Sequence, residues 1–144
     1  MSVLITGAAG FVGINLVRRF AEAGQSVIAL ARRPPDAAAL RFLGNVADRV
    51  TWVNVDVRDR DGLIRVSRDH AVEVVVHAAT ITAPLPVEKA DPAAIVDVNL
   101  GGTLNALEAA RLAGARRCVF ISSTAVYGAP ADPTAPKEAA TDQA

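Results

Sequence analysis

Five short runs rich in β-branched residues alternate with longer stretches of helical periodicity, and that alternation leaves few folds open. Val3-Leu4-Ile5-Thr6, Ser26 to Ala31, Val50 to Val55, Val72 to Val76 and Cys118 to Ile121 read as strands. Their nearly unbroken apolar character fits strands covered on both faces. From about Gly10 to Ala23, the residues Val12, Leu16, Phe20 and Ala23 recur at helical spacing, and Gly24 stands where a C-cap glycine belongs. Asp36 reads as the N-cap of a short helix to about Leu43, and Asp59 as that of a helix to about Arg68. Asp91-Pro92 gives a cap followed by proline at the first helical position. Ile95, Val96, Leu100, Leu104 and Leu107 then carry a helix that stops near Gly114, while Pro84 and Pro86 predict a long loop before it. Five strands and four helices with right-handed crossovers predict an α/β fold, a doubly wound parallel sheet in order 3-2-1-4-5. Such a sheet binds ligands at the carboxyl ends of its strands, so the loops after the first, second, fourth and fifth carry the interest.

Composition narrows the function classes. A chain of 144 residues, 51% hydrophobic and 21% charged, has the size and character of one folded domain. Fifteen basic residues against fifteen acidic ones leave no electrostatic footprint for nucleic acid or an anionic membrane. The single cysteine, Cys118, excludes a disulfide framework and a cysteine-based metal site, and no metal is expected. No apolar run approaches the ~20 residues of a membrane span. The first basic residue is Arg18, so the amino terminus lacks the charged start of a signal peptide, and a cytoplasmic location is expected.

Between the first strand and the first helix lies Gly7-Ala8-Ala9-Gly10-Phe11-Val12-Gly13. Glycines there permit a tight turn and a close approach of backbone to a pyrophosphate, with the helix amino terminus facing the anion. The spacing is G-x-x-G-x-x-G rather than G-x-G-x-x-G, and the strand–turn–helix context points to nucleotide binding. An acidic residue about 20 positions past the glycines would bond the ribose of NAD. This chain has Ala31, Arg32 and Arg33 there. A guanidinium cannot accept from a ribose hydroxyl but can grip a 2′-phosphate, which favours NADP over NAD. Two arginines on a solvated loop are the plainer alternative.

Thr6-Gly7-Ala8-Ala9-Gly10-Phe11-Val12-Gly13, Asp56-Val57-Arg58-Asp59, His77-Ala78-Ala79, Asn99 and Ser122-Ser123-Thr124-Ala125-Val126-Tyr127-Gly128 fall in one order and spacing. Taken together, from residue 2 to about 128, the chain resembles the extended short-chain dehydrogenase/reductase family of nucleotide-sugar epimerases and dehydratases. The resemblance implies a Rossmann-type NAD(P)-binding domain over 1–128, with 129–144 a proline-containing tail. It implies that Gly7, Gly10, Phe11, Val12 and Gly13 receive the cofactor, that Asp56 and Val57 hold the adenine, and that Ala78 and Ala79 let it pass close to the backbone. Asn99 resembles the family's asparagine that braces the active site, and Ser123 its catalytic serine or threonine, which orients the substrate oxygen. Ser122 would point to the other face. His77 reads as a packed or loop-bonded histidine. An exposed turn aspartate is the alternative for Asp56, and a solvent-facing helix residue for Asn99.

One departure matters. The family's catalytic tyrosine is followed four residues later by lysine, whereas Tyr127 is followed by Ala131. Tyr127 instead matches a Val-Tyr-Gly turn that is structural or lines the substrate pocket. In the family the Tyr-x-x-x-Lys pair lies on the next helix, some two dozen residues past the serine, about where this chain ends at Ala144. The tyrosine moves the hydroxyl proton and the lysine lowers its pKa, so a chain without them is expected to be inactive alone. Three readings follow: the cofactor-binding part of an epimerase, dehydratase or reductase truncated by frameshift, gene break or deliberate shortening; a non-catalytic dinucleotide sensor; or a subunit completed by a second polypeptide. Without the next helix, Val74, Val76, Val119 and Ile121 are expected to lie exposed, which favours self-association through that sheet face.

Overall fold

A computed structural model describes residues 1–82, 85–123 and 126. Its five strands are β1 (Ser2–Thr6), β2 (Ser26–Ala31), β3 (Val50–Asn54), β4 (Val74–His77) and β5 (Arg117–Phe120). All pair in parallel, in the order β3-β2-β1-β4-β5. In register, Val3 lies beside Val27 and Val74, and Thr6 beside Leu30 and His77. This is the expected Rossmann-type sheet. Every strand end that matters to a ligand therefore opens on one edge.

The apolar runs are continuous because both faces are covered. Val3, Ile5, Val27, Ala29, Val74 and Val76 pack with Val17 and Ala21 of α1 (Phe11–Glu22) and with Leu43 and Val46. Leu43 closes α2 (Ala37–Leu43), and Val46 lies in the 3-10 turn Gly44–Arg49. On the other face, Leu4, Ile28, Leu30 and Val75 pack with Leu63 and Ile64 of α3 (Arg60–Asp69) and with Ala109 and Ala110 of α6 (Gly102–Leu112). Burial of a Leu or Ile side chain contributes roughly 1.5–3 kcal/mol, so these two layers dominate stability.

The predicted caps are in place. Asp36 accepts from Ala39 N at 2.7 Å, Asp59 from Gly62 N at 2.9 Å, and Asp91 from Ala94 N at 3.1 Å. Several boundaries differ from expectation. The sheet-facing stripe of α1 is Gly13, Val17 and Ala21, one residue on from the predicted Val12, Leu16 and Phe20. The small residues face inward because α1 crosses close to the turn that precedes it, and Val12 is left 45% exposed. The fourth strand begins at Val74, not Val72, because Val72 N closes the end of α3 on Ser67 O at 2.9 Å. The expected loop around Pro84 and Pro86 contains α4 (Leu85–Ala90), and Pro86 at its second position needs no helical N–H. The helix opened by Asp91 is continuous in path but divided, as α5 (Pro92–Val96), a π turn (Asp97–Gly101) and α6.

The expected exposed face needs correction. Val74 and Val76 are only 5% and 3% exposed, because the cluster around Val17 and Ala21 covers β4. The opening is confined to the edge strand and its extension, where Val119, Phe120 and Ile121 stand exposed. A second apolar stripe accompanies it along α5, the π turn and α6: Val96, Leu100, Leu104 and Leu107 are exposed as well.

Candidate functional site

Strand order reverses at β1, whose neighbours β2 and β4 lead the chain to opposite faces. The loops leaving β1 and β4 must part there, and a crevice of about 620 Å³ opens between them. Its volume is that of a small-molecule or cofactor site.

The glycine turn forms the floor. Gly7 takes φ +64°, and a Cβ there would stand 2.8 Å from the Ala78 carbonyl oxygen and the Ala79 backbone. A Cβ on Gly13 would fall on the Gly7 carbonyl. The turn is pinned by Ala8 N to Leu30 O at 3.1 Å and Gly10 N to Gly7 O at 2.9 Å. Gly10 caps α1 without a side-chain hydrogen bond, and the first turn carries no acidic residue. The helix end therefore presents its partial positive charge to the crevice uncompensated, a cradle for an anion.

The remaining walls come from the next strand ends. Arg32 and Arg33 leave β2 exposed, and both line the crevice. Beyond β3, Asp56 Oδ1 accepts from Arg58 N at 2.9 Å and Arg58 Nε at 3.0 Å, while Oδ2 accepts from Nη2 at 2.9 Å. The Arg58 guanidinium holds the Asp56 carboxyl below its ordinary pKa, with a weaker pull from Arg32. Asp56 is thus a half-buried carboxylate bonded within its own turn, and it also lines the crevice. Val57 beside it is buried, and its carbonyl accepts from Asn105 Nδ2 at 3.0 Å.

Past β4, Ala78 N and Ala79 N both donate to Thr6 Oγ1 at 3.2 Å. His77 is 1% exposed, with Nδ1 2.8 Å from Thr6 Oγ1 and Nε2 3.2 Å from Thr103 Oγ1. Burial pushes its pKa down, so the imidazole is neutral at pH 7. It is a packed and bonded histidine, as its position after an apolar strand suggested.

Gly7, Gly10, Phe11, Val12, Gly13, Arg32, Arg33, Asp56, Val57, Ala78 and Ala79 are thus brought together around one opening. Asn99 is not on the lining. It sits in the π turn, where Oδ1 accepts from Ile81 N at 2.7 Å and from Thr80 Oγ1 at 3.1 Å, and Nδ2 donates to Ile81 O at 3.0 Å. It faces that loop, not solvent, and fixes the Thr80–Thr82 wall. Ser123 lies exposed past β5 and is not among the residues that line the crevice, and its carbonyl accepts from Val126 N at 3.2 Å. Tyr127, Ala131 and Lys137 lie outside the described residues. The sequence assigned no role to Thr6 or Thr103, while Thr80–Thr82, which line the crevice, fall in the loop from Thr80 to Ala90 that the sequence offers as a substrate contact. One signal for Thr6 was available: a polar residue ending a strand buried on both faces must find partners.

A family model described as the NAD dependent epimerase/dehydratase family matches residues 3–144. The chain belongs to that family. The chain is similar to the UDP-glucose 4-epimerase of Mycolicibacterium smegmatis, at 38% identity over 132 residues, covering 90% of this chain and 41% of the relative. A UDP-glucose 4-epimerase of Klebsiella pneumoniae is 32% identical over 133 residues, covering 89% of this chain and 93% of that one. The crystal structure of the Stenotrophomonas maltophila UDP-glucose-4-epimerase, with bound NAD and formylated UDP-arabinopyranose, superposes with a TM-score of 0.81 at 28% identity. That likeness covers 94% of this chain and 40% of the other. Against the M. smegmatis and S. maltophila epimerase/dehydratase relatives, then, the chain spans about two fifths of their length.

Proposed function

We propose that this chain is the NAD(P)-binding part of an epimerase, dehydratase or reductase that exchanges hydride with a hydroxyl- or carbonyl-bearing substrate. The UDP-sugars named for its relatives support a nucleotide sugar as the substrate class. The observation that carries the reading is the crevice at the β1/β4 switch point, with Gly7 and Gly13 pressed so close that no Cβ fits. The bound nicotinamide would supply the hydride acceptor and donor. The chain's own residues bind and orient. The uncompensated start of α1 receives the pyrophosphate. Asp56, with a lone-pair site left on Oδ2 after the Arg58 bonds, accepts from the adenine amine, and Val57 packs beside it. Ala78 and Ala79 let the dinucleotide lie against the backbone, and Asn99 holds the wall next to it. Ser123 orients the oxygen on the reacting carbon.

The residues 1–128 are assigned to this binding unit and 129–144 to the loop beyond it. These 144 residues contain no Tyr-x-x-x-Lys, so we assign them binding without turnover on their own. Arg32 and Arg33 favour NADP over NAD, since they stand directly after β2 where a carboxylate would accept from a ribose 2′-hydroxyl, and the next carboxylate, Asp36, caps α2. A fluorescence titration tests both levels. NADPH is expected to bind more tightly than NADH by roughly tenfold, the worth of about one charge-assisted contact, and Arg32→Ala narrows the gap. Equal affinities overturn the NADP preference, and no binding of either dinucleotide overturns the reading itself. Self-association through the exposed apolar residues of β5 completes the proposal.

A further inference from the structure

Five polar contacts form one chain through a buried imidazole, two of them on the ring itself, and counting protons along them leaves a single arrangement. Thr6 Oγ1 already accepts the N–H groups of Ala78 and Ala79, which fills both of its lone pairs. Its own proton is then left for His77 Nδ1, 2.8 Å away, so Nδ1 accepts. At the other end, Thr103 Oγ1 lies 2.6 Å from the Asn99 carbonyl oxygen, which can only accept, so the Thr103 proton is committed there. The 3.2 Å contact between Thr103 Oγ1 and His77 Nε2 therefore needs a proton on Nε2. The opposite tautomer would crowd three donors onto Thr6 Oγ1 and leave Nε2 facing a hydroxyl with no proton to give. An imidazolium fails at the Thr6 end in the same way.

We propose that His77, fixed as the neutral Nε2–H tautomer, is the positioning residue that sets the two walls of the crevice relative to each other. At one end of this one-way relay, Thr6 clamps the Ala78 and Ala79 amides beside Gly7, where a Cβ would already stand 2.8 Å from the Ala79 backbone. At the other end, Thr103 is tied to Asn99, whose side chain holds Thr80 and Ile81. The same hydrogen bonds thus run from the floor of the crevice, through the imidazole, to its far wall. His77 touches neither ligand nor solvent and acts through its neighbours. The consequence for binding rests on the dinucleotide reading above; the tautomer and the clamp do not.

Long-range proton–nitrogen NMR of the nitrogen-15-labelled 144-residue chain at neutral pH reads the tautomer directly, with the proton expected on Nε2. Thr103→Val removes the relay's far acceptor while keeping its shape, and Thr103→Ser restores it. Thr103→Val is expected to speed hydrogen exchange of the Ala78 and Ala79 amides and to weaken NADPH binding about fivefold or more, the effect of stranding one buried donor. Thr103→Ser should return both to wild-type values. A proton on Nδ1, or Thr103→Val with unchanged exchange at both amides, overturns the relay. A wild-type chain with the expected tautomer and exchange response that binds no dinucleotide overturns the functional reading and leaves the clamp standing. If the wild type binds but Thr103→Val leaves the affinity unchanged, the positioning role falls.

Discussion

At the scale of single residues, the site is built from atoms that could be placed only because others were left out. Gly7 and Gly13 give up their side chains so that two loops and a helix can touch, and Thr6 spends a hydroxyl holding the contact closed. His77 is the residue whose chemistry answers most directly to pH. Burial places its folded pKa below the ordinary 6.5, so protonation favours the unfolded chain. Its contribution to stability is complete above pH 6.5 and is lost as pH falls from there toward the depressed folded value. The ring is met by two hydroxyls and, at 6.0 Å, by the stacked ring of Phe120. Among the described residues no carboxylate is bonded to it, so nothing offsets the burial. Urea midpoints of the wild type are expected to fall between pH 7 and pH 5, and those of His77→Gln to fall less. Parallel pH slopes for the two proteins would show that His77 does not carry the dependence.

At the scale of elements, the helices are specified by their first residues and the strands by their burial. Asp59 caps α3 in the stretch that follows Asp56, so one short segment both starts a helix and lines the crevice. Asp59→Ala is expected to cost about 0.5–2 kcal/mol, the usual worth of an N-cap, with little effect on dinucleotide affinity because Asp59 is not on the lining. A denaturation titration alongside the binding assay separates the two; a large affinity loss would mean that the α3 cap also shapes the adenine wall. Sequence alone carried the caps through local chemistry, the strand order through the handedness of crossovers and the glycine turn through its spacing, while Asp56, Val57, Ala78 and Ala79 came only from the family resemblance. It did not carry the rotation of α1, since Gly13 facing Gly7 depends on how closely a helix crosses its own leading turn. Nor did it separate Asn99 from the crevice. The amide is aimed at Ile81 from the π turn between α5 and α6, and no residue type announces that turn.

At the scale of the whole molecule, the balance of cover and exposure differs between the two halves of the sheet. β1 and β2 are sealed on both faces, while β5 is an edge with Phe120 and Ile121 exposed, and Leu104 and Leu107 of α6 are exposed as well. Apolar surface at an open strand edge favours association. Light scattering of the 144-residue chain is expected to report a dimer or larger species, and Leu104→Lys with Phe120→Lys to shift it toward monomer. A monodisperse wild-type monomer with a cooperative melt would sink this expectation. The parallel topology also sets a timetable. Thr6 meets His77 across 71 positions of sequence, and no shorter connection can stand in for that pairing. While the chain is being synthesised, β1, β2 and β3 can assemble from their own crossovers, but β1 keeps one edge bare until β4 arrives. Loop closure over such a distance is slow compared with helix formation. The glycine turn and the walls after β2 and β3 can therefore stand before the rest, and the crevice closes only when β4 brings Ala78 and Ala79 against Gly7.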